Sequence, residues 1–434
     1  MRVLLVGSGA REHALAWKLR QSALVDDLWM WPGSPAMEGL GRRLDIGLDA
    51  RMVDLARMAK NQGIDFVVVG PEQPLADGLA DACLELKLPC FGPLKLAAQL
   101  ESSKAFAKEV MAAAGIPTAA FQTVHGEAAC RSTAEAFLKQ RGGAVIKASG
   151  LASGKGVFVC TDQAAIDEAI ERLYRSGMAR AAETVVIEEI LEGRECSFFV
   201  FMGAGGPTPL GFAVDHKRLK DGDQGPNTGG MGCYSPVPWL PKTAGEEVMQ
   251  EVVRPLLIEL GKRGIEYTGC LYVGLMWGRK GPSVVEFNVR LGDPEAEVLA
   301  LQDRRDWAAL IASKLNLHRM PDEFADFSGL EHGASVAVVL ASPCYPFGEG
   351  ETRRFEVPKH VFETMSDAFC AFGAAVRLEG GRLLTGKGRL LTLVAHGDDV
   401  HAARERVYRE VRHLTATWPG VQYRQDIGLT MLKN

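Results

Sequence analysis

Val284-Val285-Glu286-Phe287-Asn288-Val289-Arg290-Leu291-Gly292-Asp293-Pro294-Glu295 is the stretch from which the rest of the chain is best read. As a β-strand, its period of two turns Glu286, Asn288 and Arg290 to one face and Val285, Phe287 and Val289 into a core. Glu and Asn supply hard oxygen ligands of the kind Mg²⁺ takes in small number beside substrate phosphates. Arg supplies a planar fork for phosphate or carboxylate. Taken alone, the stretch fits an edge strand with a solvated polar face equally well, so its neighbours must decide.

Toward the N-terminus, short apolar runs at 3–6, 28–31 and 66–69 alternate with amphipathic helical patterns such as that at 14–19. The alternation predicts an open parallel α/β sheet with ligands beyond the carboxyl ends of its strands, at the loops following Gly7 and Gly70. A helix around 104–114, strands at 144–147, 157–160 and 185–188 and a helix near 164–174 predict a compact α+β lobe. Apolar strands return at 196–202 and 269–277, separated by the glycine-rich loop 225–232 and a helix around 246–262. A third unit, also α+β, begins near residue 328, with strands at 335–340 and 390–395 and a helix around 400–414.

At 434 residues, 24% charged and 47% hydrophobic, the chain has room for two to four domains, each with its own core. A formal net charge of -5 argues against nucleic-acid binding but allows a local basic cleft for a small anion. Nine cysteines, scattered without a C-x-x-C pair, fit neither a disulfide framework nor a zinc site and suggest a reducing cytoplasm. The apolar start Val3-Leu4-Leu5-Val6 is too short for a signal peptide, and no stretch reaches membrane-spanning length.

Several motifs carry chemistry. Gly7-Ser8-Gly9-Ala10-Arg11-Glu12 follows a strand and opens a helix, where backbone N–H groups can hold a phosphate. The dinucleotide fingerprint wants glycine where Glu12 stands and an acid where Trp31-Pro32-Gly33 stands, so NAD is disfavoured. His13 reads as a capping or packing histidine. Lys147 ends an apolar strand, where a hydrated ammonium calls for an anion; with Lys104 it can grip the phosphates of ATP. Gly150-Leu151-Ala152-Ser153-Gly154-Lys155-Gly156 lacks the Walker order because Gly156 replaces its hydroxyl residue, and reads as a hairpin lid. The run from Val185 to Glu195 is either a charged loop or a hinge that pairs adenine with backbone groups and ribose with a carboxylate. Asp215-His216-Lys217-Arg218 belongs either to the surface or to a substrate cleft.

In this order, and through to Tyr423-Arg424-Gln425-Asp426-Ile427-Gly428, the motifs resemble the glycinamide ribonucleotide synthetases, or phosphoribosylamine-glycine ligases, of the ATP-grasp superfamily. The resemblance implies an N-terminal α/β substrate domain at 1–103, an ATP-grasp domain at 104–327 whose lid lobe spans about 120–187, and a C-terminal domain at 328–434 completing the cleft. It implies ATP-dependent ligation of glycine to 5-phosphoribosylamine in purine biosynthesis. Lys104, Lys147, Gly154, Gly156, Glu188, Glu189, Leu191 and Glu195 fall on nucleotide positions, and Glu286 with Asn288 on the positions of Mg²⁺ or Mn²⁺. Arg290, Lys147 and Asp293 fall on catalytic positions. Gly9, Arg11, Glu12 and Glu72 look toward phosphoribosylamine, and Asp215, Lys217, Pro226, Asn227, Thr228, Gly229 and Gly230 toward glycine and the acyl phosphate. The implied partners are these small molecules, without nucleic acid or membrane, and the chain is expected to be a cytoplasmic monomer or weak homo-oligomer. Four residues depart from the usual family pattern: Ser34 stands for Asn, Ala36 for Gly, Ser149 for Asp and Leu291 for Phe. The sequence leaves two rivals, an ATP-grasp enzyme for a different amine or acid and a catalytically silent nucleotide-binding regulator.

Overall fold

The run Arg2–Gly7 forms the central strand of a five-stranded parallel sheet in the order 42–43, 27–32, 2–7, 66–69, 90–91. Its residues serve two cores, as a strand covered on both faces requires. Val3 and Leu5 pack with Ala14, Leu15 and Leu19 of helix Ala10–Arg20, while Leu4 and Val6 pack with Leu55 and Ala59 of helix Met52–Asn61. The computed structural model describes residues 1–150, 156–175, 182–319, 333–347 and 353–429. The expected hairpin lid at 150–156, with Gly154, therefore lies almost wholly outside the described residues.

A four-stranded antiparallel sheet follows, in the order Phe121–His125, Thr184–Glu188, Ala144–Ala148, Val157–Cys160. Ala144, Ile146 and Ala148 face helices Glu127–Arg141 and Gln163–Arg175 in a closed apolar core. The intervening Val145 and Lys147 face the other way, into a cleft. Period-two geometry thus assigns one face to stability and the other to a ligand.

The largest sheet has eight strands, all antiparallel, in the order 281–288, 269–278, 194–202, 208–215, 232–235, 334–341, 389–397, 369–373. Strand Gly232–Ser235 pairs with residues 214–215 on one side and with 335–338 on the other, so the C-terminal strands extend the same sheet. Helix Val400–Thr415 buries Val400, Ala403, Val407 and Val411 against Val336 and Val338. The helix expected at 246–262 is one continuous run, Ala244–Lys262, with a π segment at Met249–Val253 just before Pro255. Proline lacks a donor and crowds the preceding turn, which a locally wider helix accommodates. Among the described residues no helix is long and apolar enough to cross a membrane.

One expectation about the opening stretch is corrected. Val285 does not enter the core: Gly274 pairs with Glu286 and Leu275 with Val284, leaving Val285 in a β-bulge that faces the cleft. The extra residue shifts the alternation by one, so Val284, Phe287 and Val289 are the buried apolar set. Glu286, Asn288 and Arg290 keep their common face.

Candidate active site

A cleft of about 870 Å³ lies between the four-stranded sheet, the eight-stranded sheet and the carboxyl ends of the parallel strands. Lysines line its first wall. Lys147 Nζ pairs with Glu188 Oε2 at 2.8 Å and donates to the carbonyl of the bulged Val285 at 3.2 Å. Lys108 Nζ lies 3.2 Å from the other Glu188 oxygen and donates to Thr118 Oγ1 at 2.6 Å. Lys104 opens helix Lys104–Ala114, and no carboxylate lies within 4.0 Å of its ammonium among the described residues. Burial lowers its pKa against the attraction of Glu286, and Lys147 adds to the lowering. Burial takes Lys108 down to about 8, opposed by Glu188 and reinforced by Lys147. Ser149, the departure from Asp, accepts from Ala105 N at 3.1 Å while its carbonyl accepts from Lys104 N at 3.0 Å. It thus ties down the first turn of the lysine-bearing helix, a task a hydroxyl performs as an N-cap acceptor does.

Gly156, Leu191 and Glu195 line the cleft, Glu195 paired with Lys217. Glu189 also reaches its edge, but its carboxylate is committed to Ala120 N at 2.9 Å and to Arg141 at 2.5 Å. Apolar Val145, Val159, Leu191 and Met276 form a slot beside the lysines.

Glu286 and Asn288 stand at the cleft floor. Among the described residues no hydrogen bond or ion pair engages the Glu286 carboxylate. Burial works against its charge, yet Lys217, Lys104, Lys147 and Arg290 outweigh that and hold it below the usual carboxylate range. An ionised, unengaged carboxylate beside an amide oxygen is the donor set a hard divalent cation takes when phosphates complete its shell. Among the described residues Asn288 Oδ1 meets only an Arg290 N–H at 3.5 Å, so both residues fit that role. No group of three or more His, Cys, Asp or Glu side chains suited to a metal occurs among the described residues, so a cation here depends on ligand oxygens.

The second wall is built of arginines, each already paired. Arg290 Nε lies 3.2 Å from Glu72 and its Nη2 lies 2.7 Å from Glu101, whose other oxygen accepts from Val289 N at 2.8 Å. Burial opposes its charge, but Glu101, Glu72 and Glu295 raise its pKa further. Arg389 pairs with Asp293 at 3.0 Å and donates to the carbonyls of Asp293 at 2.7 Å and Gly229 at 2.5 Å. Arg11 donates to the carbonyl of Leu291 at 3.1 Å and pairs with Glu12 at 2.6 Å. Leu291 puts its side chain into the apolar core, so the departure from Phe leaves the carbonyl's work untouched. Asp215, Lys217, Asn227, Thr228 and Gly229 line this half, and Thr228 is held by two bonds to the Lys217 carbonyl, from N at 2.7 Å and from Oγ1 at 2.9 Å. Burial, with Glu295 nearby, pushes the Asp215 carboxyl well above its usual pKa.

Not every expected residue reaches the cleft wall. Glu12 is buried behind Arg11, accepting from Gly9 N at 2.8 Å, and its side chain fills the space that a Cβ at Gly7 or Gly70 would take. These glycines make room for a carboxylate rather than for a pyrophosphate. Gly9 stands behind the same wall, with an added Cβ 3.8 Å from Asp293; Pro226 and Gly230 back the loop whose Asn227 to Gly229 face inward. His13 packs against Phe362 and Phe372 and accepts from Gly373 N at 3.0 Å, as a packing histidine should. Lys108, Glu101 and Arg389 are site residues that reading the sequence missed. Lys108 follows Lys104 by four, one helical turn along the same face, and that spacing is a usable signal. Glu101 follows Ala97-Ala98-Gln99-Leu100, which does not single it out, and Arg389 has no local signal either.

Comparison with known proteins gives a consistent result. Models of the phosphoribosylglycinamide synthetase N domain, ATP-grasp (A) domain and C domain match residues 1–101, 102–296 and 335–430. The phosphoribosylamine-glycine ligase of Rhizobium meliloti is 39% identical over 99% of this chain and 98% of its own length. That of Mycobacterium leprae is 40% identical over 100% of this chain and 99% of its own. A crystal structure of phosphoribosylamine-glycine ligase from Thermotoga maritima superposes with a TM-score of 0.80 at 30% identity, covering 98% of this chain and all of that one. The chain belongs to the phosphoribosylglycinamide synthetase family, the phosphoribosylamine-glycine ligases.

Proposed function

We propose that the chain joins glycine to 5-phosphoribosylamine, giving glycinamide ribonucleotide, ADP and phosphate through a glycyl phosphate intermediate. The observation that carries this reading is the position of Glu286 and Asn288 between the wall of Lys104, Lys108 and Lys147 and the wall of Arg290, Arg389 and Asp293. A carboxylate is a poor electrophile toward an amine at neutral pH and has to be activated. One oxygen of the glycine carboxylate attacks the γ-phosphorus of ATP, and ADP departs with the electron pair of the broken P–O bond. The amine of phosphoribosylamine then adds to the carbonyl carbon of glycyl phosphate. Loss of an amine proton and departure of phosphate with the C–O electron pair complete the amide.

Lys104 and Lys147 are suited to spread the growing negative charge along the phosphates, and the slot of Val145, Val159, Leu191 and Met276 suits a planar base. Glu286 and Asn288 would hold Mg²⁺ or Mn²⁺, which supplies Lewis-acid neutralisation of phosphoryl oxygens. Glu72 and Glu101 keep the Arg290 fork aimed along one line, so it meets an incoming oxyanion without reorganising. Arg11 and Glu72, at the carboxyl ends of the parallel strands, face phosphoribosylamine. Catalysis is then mainly electrostatics and positioning, and no side chain need be covalently modified.

ADP release by the purified chain, measured with each substrate omitted in turn, tests the reading. Release should require glycine and phosphoribosylamine together. A preference for another amine would reassign the substrate, and ATP binding without ADP formation would make the chain a nucleotide-binding regulator.

A further inference from the structure

The segment Tyr423-Arg424-Gln425-Asp426-Ile427-Gly428 lies outside the cleft lining. Its Arg424 is fully buried, although an arginine that far from solvent is costly unless its donors are matched. They are matched toward the cleft. Nε and Nη2 grip both oxygens of Asp426 at 2.7 and 2.6 Å, while Nη1 bonds Asp223 Oδ1 at 2.7 Å and the carbonyl of Arg218 at 3.2 Å. Asp426 also accepts from Gly222 N at 2.8 Å, and Asp221 accepts from Gln425 N at 2.7 Å.

Asp426 belongs to the same segment, and the partners beyond it, Arg218, Asp221, Gly222 and Asp223, all lie in one hairpin. Among the described residues strands Arg218–Lys220 and Gln224–Asn227 pair only with each other, and Gly222 and Asp223 turn between them with φ of 68° and 55°. A two-stranded ribbon holds its shape poorly in water. This one carries Lys217, Asn227, Thr228 and Gly229 on the cleft wall. The C-terminal part fastens its other end too, since Gly229 N donates to Tyr345 Oη at 2.8 Å and its carbonyl accepts from Arg389. We infer that Arg424, with Asp426 and Asp223, is a positioning residue that holds the 217–229 hairpin in register over the glycine half of the cleft. Arg424 itself touches no cleft-wall side chain that the mechanism uses; it acts through the hairpin. The substrate named here rests on the proposed function, but the fastening does not.

The test uses full-length Asp223→Asn and Arg424→Lys enzymes, read in two ways. Amide exchange at Gly225 and at 227–230 should accelerate about tenfold or more, as loss of charge-assisted bonds at the turn predicts, while helix Lys104–Ala114 exchanges as in the wild type. In steady state, KM for glycine should rise roughly five- to tenfold with KM for ATP unchanged and kcat within about threefold. Arg424→Lys keeps the charge and loses the fork, so it should resemble Asp223→Asn; should it fail to fold, Asp223→Asn decides alone, since Asp223 is largely exposed and the change takes the charge from a single bond. Unchanged hairpin exchange, or acceleration spread evenly through the eight-stranded sheet, overturns the inference. If the wild type showed no glycine-dependent ADP release, the functional reading would fail while the exchange experiment still decided the fastening.

Discussion

The two walls of the cleft carry the same sign of charge and use it differently. On the arginine wall each guanidinium has its own carboxylate: Arg11 has Glu12, Arg290 has Glu72 and Glu101, and Arg389 has Asp293. On the lysine wall Lys108 and Lys147 share the single carboxylate of Glu188, and among the described residues Lys104 has none within ion-pair distance. Positive charge is therefore in excess where a polyphosphate would lie, and burial lowers the pKa of Lys104 and Lys108 until an anion arrives. The arginine wall is close to neutral and rigid, which suits shape and orientation more than affinity for a polyanion. One wall attracts; the other aligns.

Glu286 stands between them, and removing it should have the largest effect. Glu286→Ala is expected to fold normally and to lose about 100-fold or more in turnover, the scale on which metal and phosphoryl stabilisation operate. ADP release at limiting Mg²⁺ reads this directly, and wild-type rates would move the metal site elsewhere. Lys104→Met comes next. Since this ammonium has no partner to strand among the described residues, the variant should bind ATP about tenfold more weakly with glycine KM nearly unchanged. Equal losses for both ligands, measured by calorimetry and kinetics, would erase the division of labour between the walls.

Titration sharpens the same contrast, because arginines stay charged where a buried lysine does not. Lys108 titrates at about 8, so raising pH from 7 to 9 should discharge it and increase KM for ATP by roughly three- to fivefold, leaving KM for glycine steady. Stability should move the other way. The folded chain sheds this proton near pH 8 and the unfolded chain near 10.5, so the unfolded state binds more protons in between and stability rises across that window. Lys108→Met should flatten the KM profile; an unaltered profile would assign the pH dependence to another group.

How much of this was legible in the sequence depends on the range over which each signal acts. Lys147 is legible because an ammonium ending a short apolar run calls for an anion, and the strand's alternation with Ala144, Ile146 and Ala148 turns it into the cleft. The structure moves Val285 to the cleft because a bulge breaks the same alternation, and nothing in two consecutive valines says where an extra residue enters the ladder. Strand Thr208–Asp215 went unread for a related reason: Pro209 and Gly211 argue against a strand, and Pro209 is accepted only because the pairing with 199–200 shifts register there. Glu101 and Arg389 reach Arg290 and Asp293 across 189 and 96 residues of chain, distances at which local periodicity carries no information.

Ser34 gives the smallest expected effect and probes where the arginine wall ends. Its loop is joined to the Gly7 turn by a bond from Gly33 N to the Gly7 carbonyl at 3.1 Å, yet its own hydroxyl is buried without a partner among the described residues. An unpaired buried hydroxyl contributes nothing that its removal would lose, so Ser34→Ala should leave stability and all three KM values within about twofold. Asn, usual at this position in the family, adds both a donor and an acceptor on a longer stem. If the loop borders phosphoribosylamine, Ser34→Asn should lower its KM by about two- to fivefold, the net worth of roughly one hydrogen bond, without changing that for ATP. A lower melting temperature with an unchanged KM would mean that the site is merely tight and that Arg11 marks the boundary of the substrate wall. A rise in phosphoribosylamine KM on Ser34→Ala would mean the opposite, that the serine meets the substrate directly and the aligning wall extends one loop further than its arginines.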